Sequence, residues 1–337
     1  MSQDTTGVIL LNLGGPERTA DVRPFLYNLF ADRLIIRLGP PFMQRPLAWW
    51  IARRRAPKSR VFYERIGGGS PLNRITRAQG EALAAQLAGD GSFKVGMAMR
   101  YWHPFAQEVL PDFIKAGVKR LIALTLYPHY SIATTGSSIR DLRDCLTTLP
   151  GGKEIEVTEI TSWPEQEDYI NCLTRLINET RQGREDSEII YSAHSLPAKF
   201  IADGDPYLDH LRLTIAALER KTGIKGHLCF QSRSGPVEWL TPSTPDTIRR
   251  LAAQNCRGLI VVPLSFVSDH VETLYEIDIQ YRQLAEDLGM KFARIPALNT
   301  EKAFISGLKK LVIKACQEPG ARNQETGIRS QESGIRK

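Results

Sequence analysis

The residues best suited to chemistry in this sequence lie between Asp269 and Glu276, shortly after an apolar stretch that ends at Leu264. The run places an imidazole, His270, among carboxylates. If the segment is helical, Glu272 and Glu276 are four residues apart and share one helix face. Acids and an imidazole at the exit of a strand suit proton transfer or the binding of a divalent cation.

A purely structural role is the alternative for part of this run. Asp269 and Glu272 have the spacing of a helix capping box, in which both acids bind free backbone N–H groups. A second segment favours chemistry, because a strand-like stretch from Glu188 to Ala193 is followed at once by His194. Ligands bind outside the carboxyl ends of strands in open parallel sheets. We therefore expect the two strand-end histidines to face one cleft.

Strand-like and helical stretches alternate along the chain, which is typical of an α/β protein. Several strand-like stretches are apolar nearly throughout, as strands buried on both faces should be. The predicted strands are 7–13, 94–100, 121–128, 155–161, 188–193, 227–231, 258–264 and 291–296. The predicted helices are 74–87, 104–115, 165–182, 206–222, 244–254 and 275–288.

The chain also repeats its own pattern, which predicts two similar halves. The run 9–16 resembles the run 189–197, and two later pairs of runs match in the same order. A chain of 337 residues also exceeds the usual size of one domain. We predict an α/β protein with two Rossmann-like halves, each a doubly wound parallel sheet, over residues 1–160 and 161–317, with a cleft between them. A polar tail, 318–337, is expected to be disordered.

The first half carries an insertion at about residues 30–65. It contains nine Lys or Arg residues against two acids, a difference that equals the net charge of +7 of the whole chain. Trp49 and Trp50 lie close to a run of three arginines, 53–55. Such a segment suits peripheral contact with a membrane through residues 30–60, or an amphipathic anionic ligand. The alternative is an extra helix packed on the body with a solvated basic face.

Composition and missing motifs disfavour several other classes. No apolar run is long enough to span a bilayer, and the N-terminus lacks the regions of a secretory signal, so a cytoplasmic location is expected. The five cysteines form no C-x-x-C pair, which disfavours a disulfide framework or a thiolate metal site. The dinucleotide fingerprint G-x-G-x-x-G and the zinc-hydrolase motif H-E-x-x-H are absent. No nucleic-acid partner is expected, and the oligomeric state is left open.

Seven short motifs along the chain together resemble those of a known family. They are 11–17, 66–72, 99–101, 127–138, 192–197, 231–240 and 268–276. The sequence resembles the ferrochelatase family, whose members insert Fe²⁺ into a porphyrin to make haem. The resemblance extends from residue 7 to about residue 316. It implies a chelatase-like fold and a lyase reaction in which porphyrin and Fe²⁺ are the substrates and no further cofactor takes part.

The resemblance also implies roles for the residues at the strand ends. His194 is placed at the centre of the porphyrin ring, as proton acceptor, metal ligand or both, and Glu272 faces it across the ring plane. His270 and Asp269 orient and tune this second wall. At the next helical position, where the family often has another acid, this chain has Gln280, so the row of acids is shorter here. The metal ligands implied are His194, Glu272 and Glu276.

Six further residues are implied to contact the porphyrin. Arg100 follows a strand, and its guanidinium fork matches a propionate carboxylate, with a structural ion pair as the alternative. Ser70 follows three glycines and is assigned to the other propionate, unless the glycines mark only a tight turn. Apolar and aromatic walls that would bend the ring, or simply belong to the core, are Leu13, Tyr127, Phe266 and Trp239.

The resemblance favours insertion of Fe²⁺ into protoporphyrin IX with release of two protons, at the inner face of the cytoplasmic membrane. A coproporphyrin or other tetrapyrrole chelatase on the same scaffold is one alternative. A tetrapyrrole-binding protein without turnover is another, and the presence of both His194 and Glu272 argues against it. Some relatives hold a [2Fe-2S] cluster on closely spaced C-terminal cysteines. Because only Cys316 lies near the end of this chain, no iron–sulfur cluster is expected.

Overall fold

Within the residues that the structure describes, eight strands form two four-stranded sheets in which every pair of neighbouring strands is parallel. The strands are β1 (Thr6–Asn12), β2 (Phe93–Met99), β3 (Arg120–Thr125), β4 (Glu156–Ile160), β5 (Ser187–His194), β6 (Gly226–Gln231), β7 (Gly258–Pro263) and β8 (Lys291–Arg294). Their order is β2-β1-β3-β4 in the first sheet and β6-β5-β7-β8 in the second. All eight predicted strands are therefore confirmed, with small differences at their ends.

Helices connect the strands of this computed structural model, which describes residues 5–233, 235 and 237–317. The α-helices are α1 (Val22–Ala31), α2 (Gln44–Arg65), α3 (Leu72–Leu87), α4 (Ala106–Lys115), α5 (Ser137–Thr148), α6 (Glu167–Arg181), α7 (Ala198–Ala202), α8 (Tyr207–Thr222), α9 (Thr244–Ala253), α10 (Arg282–Asp287) and α11 (Lys302–Gln317). Two segments are π-helical, Ile132–Gly136 and Glu272–Tyr281. Short 3₁₀ turns occur at Thr19–Asp21, Pro41–Met43 and Gly152–Glu154. The tail that was predicted to be disordered lies outside the described residues.

The two sheets share one topology, which confirms the internal repeat. In each sheet the first strand of the half lies between the second and the third. The amide of Leu126 donates to the carbonyl of Leu11 in the first sheet, and the amide of Leu264 donates to that of Ser192 in the second. Leu11 and Ser192 are therefore equivalent positions. Leu13 and His194, each two residues further along the chain, are equivalent as well.

The core explains why the strands could be recognised so readily. Every residue of β7 is buried, as expected for a strand covered by helices on both faces. The largest apolar cluster contains residues of both sheets, such as Leu10 and Tyr191, so the halves pack against each other. Helix α11 also reaches the first half, where Arg120 donates to the carbonyls of Ala315 and Cys316 at 2.6 and 2.8 Å. The proposed boundary near residue 160 stays a prediction.

The insertion contributes α2, which packs against α1 as a helical hairpin. Ala48, Ala52 and Ala56 recur every four residues along α2 and are buried in a cluster with Phe25 and Phe30 of α1. Small side chains on this stripe let the two helices approach closely. The opposite face of α2 carries the basic and aromatic residues, as the packed-helix interpretation of this segment predicted.

Candidate active site

The segment after β7 forms a ten-residue π-helix, Glu272–Tyr281, which is followed directly by α10. The sequence predicted an α-helix from residue 275 to residue 288, so the boundaries and the helix type were wrong. The helix begins without a side-chain cap, because its N-cap residue, Val271, makes no side-chain bond. The capping-box alternative for Asp269 and Glu272 is therefore not what the structure shows. π-Helical turns occur frequently at functional sites.

His194 and Glu272 form the centre of the site. His194 is the last residue of β5, and its Nδ1 lies 3.0 Å from Oε2 of Glu272 at the start of the π-helix. The imidazole is 34% exposed and the carboxylate 16%. The family resemblance placed these two groups on opposite sides of a flat ring. A direct contact of 3.0 Å leaves no room for a ring between those atoms, so the two side chains must part for that arrangement to form.

Mutual attraction shifts the pKa of both groups. Burial alone would raise the pKa of Glu272, but His194 outweighs it and lowers that pKa to about 2. Burial alone would lower the pKa of His194, but the charge and hydrogen bond of Glu272 raise it above the ordinary value of 6.5. Each group therefore favours the charged form of the other, the carboxylate on Glu272 and the imidazolium on His194.

His270 lies behind this pair and is almost fully buried. Its Nδ1 is 3.1 Å from the carbonyl oxygen of Ser268, which can only accept, so Nδ1 carries the proton in the neutral ring. Its Nε2 therefore carries the lone pair, has no hydrogen-bond partner and lies 3.9 Å from Oε2 of Glu272. Burial lowers the pKa of His270 below the ordinary value despite the nearby Glu272 carboxylate. A neutral imidazole with a free lone pair beside a carboxylate can accept a proton or bind a cation.

Asp269 does not hydrogen-bond to His270. Its carboxylate accepts from the hydroxyl of Thr273 at 3.0 Å and from the amide of Asn299 at 2.9 Å, and it pairs with Arg294 at 3.2 Å. Asp269 acts on His270 through charge, since this carboxylate favours the protonated form of the ring. The role of His270 and Asp269 in orienting and tuning the wall that carries Glu272 stays a prediction.

Glu276 is turned away from the central pair. It accepts hydrogen bonds from the backbone amide and hydroxyl of Ser232 and, at 2.5 Å, from the hydroxyl of Tyr281. Burial, with the neighbouring charge of Glu272, raises the pKa of Glu276. Within the described part of the chain, no three His, Cys, Asp or Glu side chains are grouped to hold a metal ion. The predicted trio of ligands is thus only partly assembled, and the role of Glu276 stays a prediction.

Arg100 makes the structural ion pair that was its alternative role. Its guanidinium contacts Asp32 at 3.0 Å and Asp141 at 3.4 Å, and it donates to the hydroxyl of Ser137 at 2.7 Å. The predicted propionate contact would have to compete with two carboxylates. Asp32 comes from the insertion, so this pairing joins the α1–α2 hairpin to the end of β2.

Ser70 and the glycines before it form a tight turn. Gly67 and Gly68 have φ values of 105° and 94°, a region that side chains rarely adopt. A Cβ atom on Gly69 would lie 2.0 Å from the carbonyl oxygen of Glu17, so only glycine fits there. Ser70 is buried, and its hydroxyl accepts from the amide of Leu72 at 3.3 Å. The tight-turn alternative therefore accounts for the glycines, and a propionate contact of Ser70 stays a prediction.

Of the four predicted apolar and aromatic porphyrin contacts, Phe266 packs against the histidines of the site. Its ring centroid is 4.0 Å from that of His270 and 6.2 Å from that of His194. Tyr127 is buried beside Ser138. Leu13 is partly buried against the apolar cluster of α1 and α2, and Trp239 is partly buried beside Pro197. A porphyrin contact of any of the four stays a prediction.

Three residues at the site were not predicted individually. Gln231 ends β6 next to His194, donates to Oε2 of Glu272 at 3.1 Å and accepts from the hydroxyl of Ser192 at 2.6 Å. Ser265 accepts from the backbone amide of His194 at 2.9 Å, and Tyr207 donates to the carbonyl of His194 at 2.9 Å. These contacts fix the backbone of His194 and the direction of the carboxylate.

The fold is shared with a solved chelatase structure. Among solved structures, the sirohydrochlorin chelatase SirB from Bacillus subtilis subspecies spizizenii, in complex with cobalt, superposes with a TM-score of 0.55. The match covers 94% of this chain and 98% of that one at 9% identity, so it supports the fold alone.

The chain belongs to the ferrochelatase family. The family's sequence model, described as Ferrochelatase, matches residues 5–316. A ferrochelatase from Desulfotalea psychrophila is 56% identical over 94% of this chain and 98% of its own length. One from Geotalea daltonii is 47% identical over 92% and 97%, and one from a Cyanothece species is 46% identical over 94% and 84%. Recognition of the family from its motifs is thereby confirmed.

Proposed function

We propose that His194 and Glu272 carry the metal insertion of this ferrochelatase, in which Fe²⁺ enters protoporphyrin IX and two pyrrole N–H protons leave. The observation that supports their role is the 3.0 Å contact between Nδ1 of His194 and the carboxylate of Glu272 at the carboxyl end of β5. The reaction balances without an oxidant, because the iron stays divalent and each pyrrole N–H bond breaks heterolytically. The site must therefore provide a base and a way to bind the cation.

In this proposal His194 accepts a pyrrole proton in its neutral form. The carboxylate of Glu272 stabilises the imidazolium that forms, and it is also an oxygen ligand suited to Fe²⁺. Gln231 donates a hydrogen bond to this carboxylate, while Ser265 and Tyr207 form hydrogen bonds with the backbone of His194. His270, neutral and with a free lone pair, is the second base within reach of the carboxylate.

The test of this activity is an anaerobic assay with the purified protein. We expect incorporation of Fe²⁺ or Zn²⁺ into protoporphyrin IX, followed by the loss of free-porphyrin fluorescence and by analysis of the product. Coproporphyrin in parallel reactions distinguishes the close alternative, because a coproporphyrin chelatase would metallate it faster. Porphyrin binding without incorporation of either metal would contradict the proposal and indicate a carrier.

We also propose that α2 forms a peripheral contact with an anionic membrane. Trp49 and Trp50 are 45% and 50% exposed, and Phe42 just before the helix is 76% exposed. Indole rings with stacked guanidinium groups combine apolar insertion with attraction to lipid phosphates. None of the helices in the described ranges is long and apolar enough to cross a bilayer. The cations stacked on the two indoles, 4.6 to 5.6 Å from the ring centroids, are Arg23, Arg53 and Arg54.

This surface is connected to the active site by α2 itself. Phe62, twelve residues or about 18 Å beyond Trp50 along the helix, stacks on Tyr275 of the π-helix with ring centroids 4.3 Å apart. A protein lying on a membrane through this helix would therefore hold the metal-insertion site near the source of an apolar porphyrin.

With no clustered cysteines in the sequence, we keep the proposal that the enzyme works without an iron–sulfur cluster.

Replacing both Trp49 and Trp50 by serine is expected to weaken binding to vesicles that contain phosphatidylglycerol by about tenfold or more, because two apolar anchors are lost. Co-sedimentation with the vesicles measures the effect. The matched control is the double change Leu213→Ser and Leu288→Ser, since both leucines are 42% exposed outside the insertion. Equal binding by the two double variants would contradict a membrane contact through α2.

A further inference from the structure

Arg294 ends β8, and its side chain is only 10% exposed. Its Nε and Nη2 donate to the two carboxylate oxygens of Asp278 at 2.9 and 2.7 Å, which is the bidentate geometry of a strong ion pair. Its Nη1 lies 3.2 Å from Oδ1 of Asp269. One cation from the rigid sheet therefore joins two acids that are nine residues apart in the chain.

These two acids lie on either side of the proposed reacting groups. Asp269 directly precedes His270, and Asp278 follows Glu276 within the π-helix. Asn299 supports the first acid from two directions, because it donates to the carboxylate of Asp269 and accepts from its backbone amide, both at 2.9 Å. The segment that carries His270 and Glu272 is therefore tied at both ends to the end of β8 and the chain that follows it.

The π-helix needs such external support. Its i→i+5 bonds make a wide turn, and π-helical segments are usually single turns, whereas this one has ten residues. It also begins without a side-chain cap. The position of Glu272 relative to His194 therefore depends on contacts made by neighbouring elements, and a displacement of about 1 Å is enough to cost a large factor in rate.

We propose that Arg294 is a positioning residue for metal insertion, which holds Asp269 and Asp278 so that Glu272 and His270 keep their places beside His194. The inference rests on the proposed function of the His194–Glu272 pair. Removing the guanidinium would leave two partly buried acids without their shared cation. Asp278 would lose its bidentate ion pair, and Asp269 would keep only its hydrogen bonds with Asn299 and Thr273.

The experiment compares Arg294→Met, Arg294→Lys and a matched control in the metal-insertion assay. For Arg294→Met we expect kcat to fall about 10–100-fold, as for groups that orient a metal ligand, with the KM for porphyrin unchanged. Arg294→Lys is expected to be intermediate, because an ammonium keeps the charge and loses the bidentate geometry. The control, Arg282→Met, removes a 40% exposed arginine that approaches the same Asp278 carboxylate only at 3.9 Å, and it should keep the wild-type kcat.

Thermal unfolding and porphyrin binding, followed by fluorescence quenching, are measured on every variant. An unchanged kcat in Arg294→Met would overturn the proposal. So would a loss of kcat that is matched by lost porphyrin binding and not relieved in Arg294→Lys, because that result describes a general structural role. If Arg294→Met does not fold, Asp278→Asn is judged by the same criteria. Glu272→Gln in the same assay separates the two claims: if it keeps its rate, the proposed site fails, and if it alone loses rate, only the role of Arg294 fails.

Discussion

His194→Ala is expected to lower kcat for metal insertion by about 10²–10⁴-fold while porphyrin still binds, because the variant loses a positioned base and leaves the apolar walls in place. The assay is Zn²⁺ incorporation into protoporphyrin IX, with porphyrin binding measured separately by fluorescence. Deleting the imidazole also leaves the carboxylate of Glu272 without its cationic partner. Its pKa should then rise from about 2, since burial raises it once His194 no longer outweighs that effect.

The second sheet offers a matched control for this substitution. His227 and Glu188 form another His–Glu pair, at 3.3 Å, near the opposite ends of the strands β6 and β5. His227→Ala removes an imidazole that is also 34% exposed, without touching the strand ends where the site lies. It should keep the wild-type kcat. Full activity in His194→Ala, or equal losses in both variants, would refute the assignment of His194.

Glu272→Gln is expected to lower kcat by about a hundredfold with a small change in porphyrin affinity. The amide has nearly the same shape, so the loss reports on the charge that stabilises the imidazolium and attracts Fe²⁺. Glu188→Gln is the control, because it changes the carboxylate of the second His–Glu pair. A rate equal to that of the wild-type protein would remove Glu272 from the mechanism.

The pH dependence of the same variant tests whether Glu272 raises the pKa of His194. Glu272 holds the pKa of His194 above 6.5, so the neutral base forms only above that pH, and kcat/KM should rise with pH through the raised value. In Glu272→Gln burial dominates and lowers the pKa of His194, which moves the rise in residual kcat/KM to lower pH. A rise at the same pH in both proteins would show that His194 is not the titrating group.

The free energy of unfolding should depend on pH through both groups of this pair, with opposite signs for Glu272 and His194. The pKa of Glu272 is depressed from 4.5 to about 2, so its contribution is present above pH 4.5 and disappears as the pH falls toward 2. The pKa of His194 is raised, so its contribution is present below pH 6.5 and disappears as the pH rises through the raised value. The difference in Tm between the wild-type protein and Glu272→Gln should therefore be largest between pH 4.5 and 6.5.

Strands such as β1, β3 and β7 could be predicted from sequence because they are buried on both faces and form apolar runs between turn residues. The type of helix after β7 was not predicted, because the four-residue spacing of Glu272 and Glu276 is typical of an α-helix, and long-range contacts such as that of Arg294 with Asp278 cannot be read from the sequence. Helix α11 is different. Its apolar residues recur at helical spacing from Phe304 to Val312, so this helix is predictable from the sequence.

In the candidate site, too, some residues could be predicted from the sequence and others could not. His194, His270 and Glu272 were predicted because each follows a strand, and the carboxyl ends of parallel strands meet at one edge of a sheet. The partners of Arg100 could not be predicted, because Asp32 lies 68 residues before it and comes near only when the hairpin packs. Gln231 was within reach of prediction, since β6 neighbours β5 and this residue pairs with His194.

The repeated topology has a consequence for how this enzyme could have diversified. The position equivalent to His194 in the first sheet is Leu13, so two copies of one framework present a proton-binding group in one place and a hydrocarbon in the other. Two identical subunits related by symmetry would carry the same residue at both positions. Joining the copies in a single chain removes that restriction, and substitutions at one strand end can accumulate independently of those at its twin.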